Sequence, residues 1–171
     1  MSYNKNQFNV DFRKKRSYKD EFEIFDFENC LDETLVQYKR RNFFRIAIIS
    51  GDRLYHYADK IVRISGTTLI SFSPDVPYRF ELLNMKTKGC VCIFRETFFG
   101  KRYTENIRHL PMFAVSGIPD YSLSKAQNIF VNQIFRKMKS ELKSDYVFRL
   151  DLIRNYVTEL IHYTMKMEHY G

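Results

Sequence analysis

The chain has 171 residues, of which 44% are hydrophobic and 16% aromatic, and its formal net charge is +8. This length is sufficient for one domain with a proper core, and the apolar share excludes a wholly disordered chain. No apolar run approaches the roughly twenty residues of a membrane span, and the polar start MSYNKNQFNVDF is not a signal peptide, so we expect a cytoplasmic protein without a membrane partner.

Residues 1–20 are polar and basic and lack both helical and strand periodicity, which predicts a loosely ordered N-terminal arm. Much of the positive charge lies in RKKR at Arg13–Arg16 and in YKRRNFFR at Tyr38–Arg45. Neither cluster belongs to a recognisable DNA-recognition helix. We therefore do not expect this chain to bind DNA directly and specifically.

Residues 21–120 contain short aromatic and β-branched runs separated by Gly and Pro, which predicts a small antiparallel barrel or sandwich. Residues two apart in a strand share a face, so we expect Cys90 and Cys92 to be reduced core residues without a mutual disulfide. Cys30 is predicted to be a third buried thiol. The predicted strands are EFEIFDF, NFFRIAIIS, KIVRISG, TTLISFS, YRFELL and GCVCIFRETFF.

Residues 121–171 change to helical spacing, and Ser122 or Ser124 is placed to cap a first helix. The segment SDYVFRLDLIRNYVTELIHYTMKM predicts a second helix from Ser144 to Met167, after a tight reversal at KSD. Its apolar arc is wider than one core requires. This width indicates a second neighbour, either another helix or another subunit; a helix packed only on its own domain is the alternative.

Four segments carry a resemblance to a known family: YKRRNFFRIAIISG, LYHYADKIVRISGTTLISFSPDVPYRFEL, GCVCIFRETFF and IFRKMKSELKSDYVFRLDLIRNYVTELIHYTMKM. They resemble the N-terminal half of AraC-type transcriptional regulators, especially those of the Bacteroides group, and the resemblance covers residues 20–168. It implies an α+β fold. A small antiparallel cupin-like β-barrel of the double-stranded β-helix (jelly-roll) type would be followed by an antiparallel helical hairpin.

In that family the barrel senses an effector, the helices dimerise, and a C-terminal domain with two helix-turn-helix motifs binds the promoter. The resemblance implies an effector-sensing barrel at residues 21–120 and a hairpin for dimerisation and coupling at 121–171, which form one domain. Because the chain ends at Gly171, we expect a fragment without the DNA-binding domain. The implied partners are a small-molecule effector (a sugar or an anionic metabolite), a second copy of the chain, and promoter DNA only through the missing domain.

By the same resemblance, the last helix is the dimer interface and the connection to the missing domain, in agreement with its wide apolar arc. The expected dimer contacts are Leu150, Ile153, Arg154, Val157, Leu160, Ile161 and Thr164.

A cupin barrel can also hold a catalytic metal, so the alternative function is a stand-alone cupin enzyme (an isomerase or dioxygenase) or a carbohydrate-binding module. Such enzymes carry two histidines separated by one residue, then a carboxylate and a further histidine, because a divalent ion needs converging N and O donors. The positions two away from His56 hold Leu54 and Ala58, and the other barrel histidine is His109. We therefore expect no metal, no cofactor, no catalytic residues and no enzymatic activity.

An effector pocket requires a concave, mostly apolar interior with a few placed polar groups. In NFFRIAII, Arg45 shares one strand face with Phe43, Ala47 and Ile49, so it is a charge among hydrophobic side chains. It could hold an anionic effector through paired N–H donors, or it could pair with a carboxylate on a neighbouring strand. The other candidate pocket residues, of which the aromatic ones are alternatively simple core, are Tyr55, His56, Tyr57, Phe72, Tyr78, Cys92 and Phe94.

Overall fold

The computed structural model describes residues 21–28, 43–57, 59–82, 87–100, 107–117 and 120–170. The predicted arm at residues 1–20 and Cys30 lie outside these ranges. Within them the chain is α+β, with strands followed by two helices and with short 3₁₀ turns at Glu96–Phe99 and Ile107–His109. The elements are β1 (Phe22–Glu28), β2 (Phe44–Ser50), β3 (Arg53–Tyr57), β4 (Lys60–Ile64), β5 (Thr67–Phe72), β6 (Tyr78–Leu82), β7 (Lys88–Phe94), β8 (Asp120–Ser122), α1 (Lys125–Leu142) and α2 (Arg149–Tyr170).

The strands form two antiparallel sheets that pack face to face. The larger sheet has the strand order β1-β7-β2-β5-β8, and the smaller has the order β4-β3-β6. One apolar core lies between the sheets, and a second lies between the outer face of the larger sheet and the helices. The predicted α+β class, an antiparallel β-unit followed by a helical hairpin, is confirmed, and the β-unit is a small two-sheet sandwich.

Strand β2 lies in the middle of the larger sheet and is buried along both faces. Because successive side chains of a strand point in opposite directions, its apolar run supplies both cores. The predicted division of NFFRIAII into two apolar faces is confirmed. The helical side receives Phe44, Ile46 and Ile48, and the side of the smaller sheet receives Phe43, Ala47 and Ile49.

Two glycines mark the points at which the chain passes between the sheets. Gly51 joins β2 to β3 with a φ of 128°, and Gly66 joins β4 to β5 with a φ of 72°. Positive φ values of this kind favour glycine, which has no Cβ. The N–H of Gly51 donates to the carbonyl oxygen of Gly66 at 3.1 Å, and the hydroxyl oxygens of Ser50 and Thr67 are 2.7 Å apart. The two crossings are thus held side by side.

Helix α1 begins at a capping box. The N–H of Gln127 donates to the hydroxyl of Ser124 at 3.3 Å, and the N–H of Ser124 donates to Oε1 of Gln127 at 2.7 Å. This reciprocal pair satisfies two backbone donors that have no partner within the helix. Of the two predicted caps, Ser124 is therefore the one used, and Ser122 is the last residue of β8.

Helix α2 begins at Arg149, later than the predicted start at Ser144. The hydroxyl of Ser144 donates to Oε1 of Glu141 at 2.7 Å and accepts from the N–H of Tyr146 at 3.3 Å. Local side-chain bonds of this type compete with helical backbone bonds. The reversal between the helices is therefore longer than predicted. Tyr146, which the prediction placed in the helix, lies in this reversal and is 50% exposed.

The apolar stripe of α2 faces the chain's own core. Its central side chains are at most 1% exposed, and the apolar ones belong to the core that the helices share with the larger sheet. A side chain buried within its own chain is not available to a partner. The expectation that these positions form dimer contacts is therefore wrong for Ile153, Val157, Leu160, Ile161 and Thr164, while Leu150 packs partly buried against the same core.

Arg154, another expected dimer contact, is also engaged within the chain. Its Nε donates to the carbonyl oxygen of Phe98, and its guanidinium lies 4.9 Å from the centre of the Phe98 ring. Its Nη1 is 2.6 Å from Oδ1 of Asp151. The helix thus covers the larger sheet of its own chain, which was the alternative interpretation of its pattern.

Replacing Ile153 with Ala is expected to lower the free energy of unfolding by about 2–5 kcal/mol, because it leaves a cavity in the sheet–helix core. The matched control is Ile129→Ala on α1, where the side chain is 51% exposed. This control should change the free energy by less than about 0.5 kcal/mol. Urea unfolding followed by circular dichroism measures both. Dissociation of a dimer by Ile153→Ala without loss of stability would show that the stripe is an intermolecular surface.

Candidate functional site

The space between the sheets brings together four of the predicted pocket residues. Arg45 enters it from β2 and Phe72 from β5 in the larger sheet, whereas Tyr55 and Tyr78 enter from β3 and β6 in the smaller sheet. The three aromatic side chains belong to the core between the sheets. The structure therefore brings these four residues together in one core, and their role in a pocket stays a prediction.

Arg45 is the charged centre of this group and is only 5% exposed. Its Nη1 donates a hydrogen bond to the hydroxyl of Tyr78, and its guanidinium carbon lies 5.6 Å from the centre of the Tyr78 ring. The Tyr78 ring stacks on Phe72 with centroids 4.1 Å apart, and Tyr55 meets Phe72 edge-on at 5.5 Å. The guanidinium thus lies against the Tyr78 ring, and stacking on Phe72 fixes that ring.

A second arginine, which sequence reasoning missed, is buried on the inner side of the smaller sheet. Arg53 begins β3, lies on the same strand face as Tyr55, and is 0% exposed. Burial lowers its pKa to about 10, because desolvation disfavours the charged form. Since this value is still above neutral pH, Arg53 remains a cation. The interior of the sandwich therefore holds two guanidinium groups.

Two of the predicted pocket residues lie on the wrong side of the larger sheet. Cys92 and Phe94 are in the sheet–helix core, and Phe94 stacks on Phe44 with ring centroids 5.8 Å apart. The reason is strand parity, because Cys92 and Phe94 pair in register with Ile46 and Phe44, whose side chains also face the helices. Both residues are therefore excluded from the space between the sheets.

The remaining candidates, His56 and Tyr57, follow Tyr55 in β3. His56 is half-buried and, by alternation with Tyr55, lies on the outer face of the smaller sheet. It is therefore not part of the inter-sheet group. The backbone of Tyr57 ends β3, and its side chain lies outside the described residues.

The described part of the chain contains no group of three or more His, Cys, Asp or Glu side chains that could hold a metal ion. His109 is exposed at the end of a 3₁₀ turn. No helix among the described residues is long and apolar enough to cross a membrane.

Comparisons with known proteins add a similarity in structure. No protein-family model matches the chain, and no curated protein is similar to it in sequence. Among solved structures, the crystal structure of the AraC-like transcriptional activator CuxR aligns with 83% of this chain at 11% sequence identity and a TM-score of 0.48. The chain spans about half of that protein, since the alignment covers 49% of the CuxR chain.

Cys90 and Cys92 are expected to react slowly with iodoacetamide in the native protein. Both thiols are free and at most 5% exposed, and burial raises the pKa of Cys90 to about 12 and that of Cys92 further. The reactive thiolate is therefore scarce at pH 8. Peptide mass spectrometry after timed labelling, with and without denaturant, measures the rates. Equally fast labelling of Cys90 in both conditions would contradict this assignment.

Proposed function

We propose that this chain is the effector-binding domain of an AraC-type transcriptional regulator and that it binds a small anionic or polar molecule between the two sheets. The observation that carries the proposal is the guanidinium of Arg45, which is 5% exposed and lies against Tyr78, whose ring stacks on Phe72. The sequence resemblance supplies the regulator class. In this proposal the chain binds the effector and transmits the signal to the DNA-binding domain, and it catalyses no reaction.

In this proposal the guanidinium of Arg45 is the group that binds the effector. Within the chain, its Nη1 donates a hydrogen bond to the hydroxyl of Tyr78. Removing a cation from water is costly unless an anionic or strongly polar partner offsets the loss of hydration. A carboxylate or phosphate of an effector would do so through the planar fork of N–H donors. A carboxylate of the chain is the competing partner, and the two cases have different consequences for the folded protein.

The position of Arg45 also provides a route for a signal. Its two neighbours in β2, Phe44 and Ile46, are on the opposite face and pack in the sheet–helix core. A ligand that displaces β2 therefore changes the packing of the helices, which in the intact regulator would connect to the DNA-binding domain. Such a displacement can be small, because close-packed cores transmit strain.

The proposal includes a homodimer, whose contacts must lie outside the buried stripe of α2. The helical hairpin exposes apolar side chains at its reversal, where Tyr146, Val147 and Phe148 are 50%, 57% and 44% exposed. Ile129 on α1 is also exposed. We assign the contacts with the second copy to the reversal.

Replacing Arg45 with Met separates the two possible partners of the guanidinium. If an effector is the partner, the variant should fold with nearly unchanged stability but should lose the rise in Tm that the effector gives the wild type. Thermal unfolding in the presence of sugars, sugar acids and dicarboxylates measures this rise. The matched control is Arg63→Met on β4, an exposed arginine that should retain the full response.

Two results would contradict the role of Arg45 in effector binding. A loss of about 3–5 kcal/mol of stability in Arg45→Met without any ligand would indicate a carboxylate of the chain left unpaired in the interior. An effector that raises the Tm of wild type and Arg45→Met equally would place its binding site elsewhere.

The dimer is tested with Val147→Asp, which introduces a charge at the reversal and should shift the chain toward monomer in sedimentation velocity at micromolar concentration. Val115→Asp is the control, because Val115 is similarly exposed, at 65%, but lies outside the helical hairpin. A wild-type chain that sediments only as monomer would contradict the dimer, and equal dissociation by both variants would contradict the assigned contacts.

A further inference from the structure

A cleft of about 370 Å³ lies between α1 and the outer face of the larger sheet. Its floor is apolar and consists of Ile48, Cys90 and Phe135, each at most 5% exposed. Its rim is polar. The rim residues that bear on its chemistry are Asp26, Lys88, Asn128, Asn132, Arg136 and Lys139.

The regular spacing of side chains along α1 and along the strands places these residues around one cleft. On α1, Asn128, Asn132, Arg136 and Lys139 are spaced by four, four and three residues, so they share one helix face. In the sheet, Asp26, Cys90 and Ile48 are neighbours in one row, and Lys88 lies two residues before Cys90 on the same face. The cleft is therefore a product of the helix–sheet packing and is lined from both sides.

The rim has an excess of positive charge, because three cations face one carboxylate. Nζ of Lys139 is 2.5 Å from Oδ1 of Asp26, and this hydrogen bond holds the pKa of Asp26 below its usual value. Those two charges therefore compensate each other. The side chains of Lys88 and Arg136 form no hydrogen bond or ion pair with any residue that the structure describes. They leave two positive charges for a ligand.

The amide groups of the rim are held in place by each other. Nδ2 of Asn132 donates to the carbonyl oxygen of Asn128 at 2.9 Å and to its Oδ1 at 2.6 Å. This arrangement uses Oδ1 of Asn128 as an acceptor and leaves its Nδ2 group as a donor. The helix side of the cleft thus offers an oriented amide at Asn128, about two turns before Arg136 on the same helix face.

We propose that this cleft is a binding site for a small organic anion, with the carboxylate or phosphate held by Lys88 and Arg136 and an apolar body packed on Phe135 and Ile48. The volume lies at the lower end of the range of about 300–1,000 Å³ that is typical of organic ligand sites. A concave site of this size does not fit a nucleic-acid duplex, whose phosphates require an extended basic surface.

The site is distinct from that of Arg45, because the cleft opens on the opposite face of β2. A ligand bound here contacts α1 and β7 at once, so it stabilises the attachment of the helical layer to the larger sheet. The cleft is therefore a separate site, and its proposed ligand does not require an effector between the sheets.

The test is a titration of the ¹⁵N-labelled chain with phenyl phosphate, followed by the shifts of backbone amide signals. We expect saturable shifts at Gly89, Asn132 and Arg136. Inorganic phosphate should bind at least about tenfold more weakly, because it buries no apolar surface on the floor. Phenyltrimethylammonium, which has the same ring and a fixed positive charge, should not shift these signals.

The double variant Lys88→Gln/Arg136→Gln should raise the Kd for phenyl phosphate at least about tenfold, because charge-assisted hydrogen bonds are lost. The control Lys60→Gln/Arg63→Gln removes the same charge from exposed positions of the smaller sheet and should leave the Kd unchanged. Both variants should keep the amide spectrum of the folded chain.

Three outcomes would overturn the proposal: no saturable shift with phenyl phosphate, equal affinity for inorganic and phenyl phosphate, or an equal effect of the two double variants. A short DNA duplex that shifts the same amides while phenyl phosphate does not would likewise overturn it, in favour of a nucleic-acid surface.

Discussion

Strand β2 contributes side chains to both cores of the protein, and the positions of the other layers depend on it. A strand buried on two faces has no surface for solvent, so its sequence is an apolar run in which Arg45 is the one charge. Phe44 and Ile46 are each 0% exposed, and burial of side chains of this size contributes about 1.5–3 kcal/mol each. The helices on one side and the smaller sheet on the other are therefore both fixed to the same strand, and neither layer can be displaced without repacking against it.

Four of the cations described above lie in two different environments. The guanidinium groups of Arg45 and Arg53 are enclosed between the sheets, where low local polarity strengthens any ionic contact and where dissolved salt has little access. Lys88 and Arg136 are exposed at the cleft, so their attraction for an anion is screened by salt. An anion held between the sheets would therefore be less sensitive to ionic strength than one held in the cleft. The two locations differ in physical character as well as in position.

The sequence was sufficient to predict an antiparallel β-unit followed by a helical hairpin, but not every element or side-chain direction. Period-two alternation predicted both faces of β2, and Arg45 was identified because it interrupts an apolar run. Strand β3 was missed because its sequence RLYHY lacks a bounded apolar run, and without that strand no face could be assigned to Arg53. Strand β8 has three residues and depends on its pairing with β5. Cys92 and Phe94 were misplaced because GCVCIF is apolar on both faces, and only tertiary packing determines which face meets the helices.

The double burial of β2 restricts how the length of this strand can vary. An insertion of one residue at its start would exchange its two faces, so that Arg45 would point toward Phe94 and the helices while Phe44 would point between the sheets. The hydropathy profile of the strand would hardly change, yet a guanidinium would be transferred into a core made of phenylalanine and aliphatic side chains. Descendants of this gene can therefore substitute residues in β2 far more readily than they can gain or lose a single codon there. Length changes should instead accumulate in the connections between the strands, where side chains do not have to alternate between two buried faces.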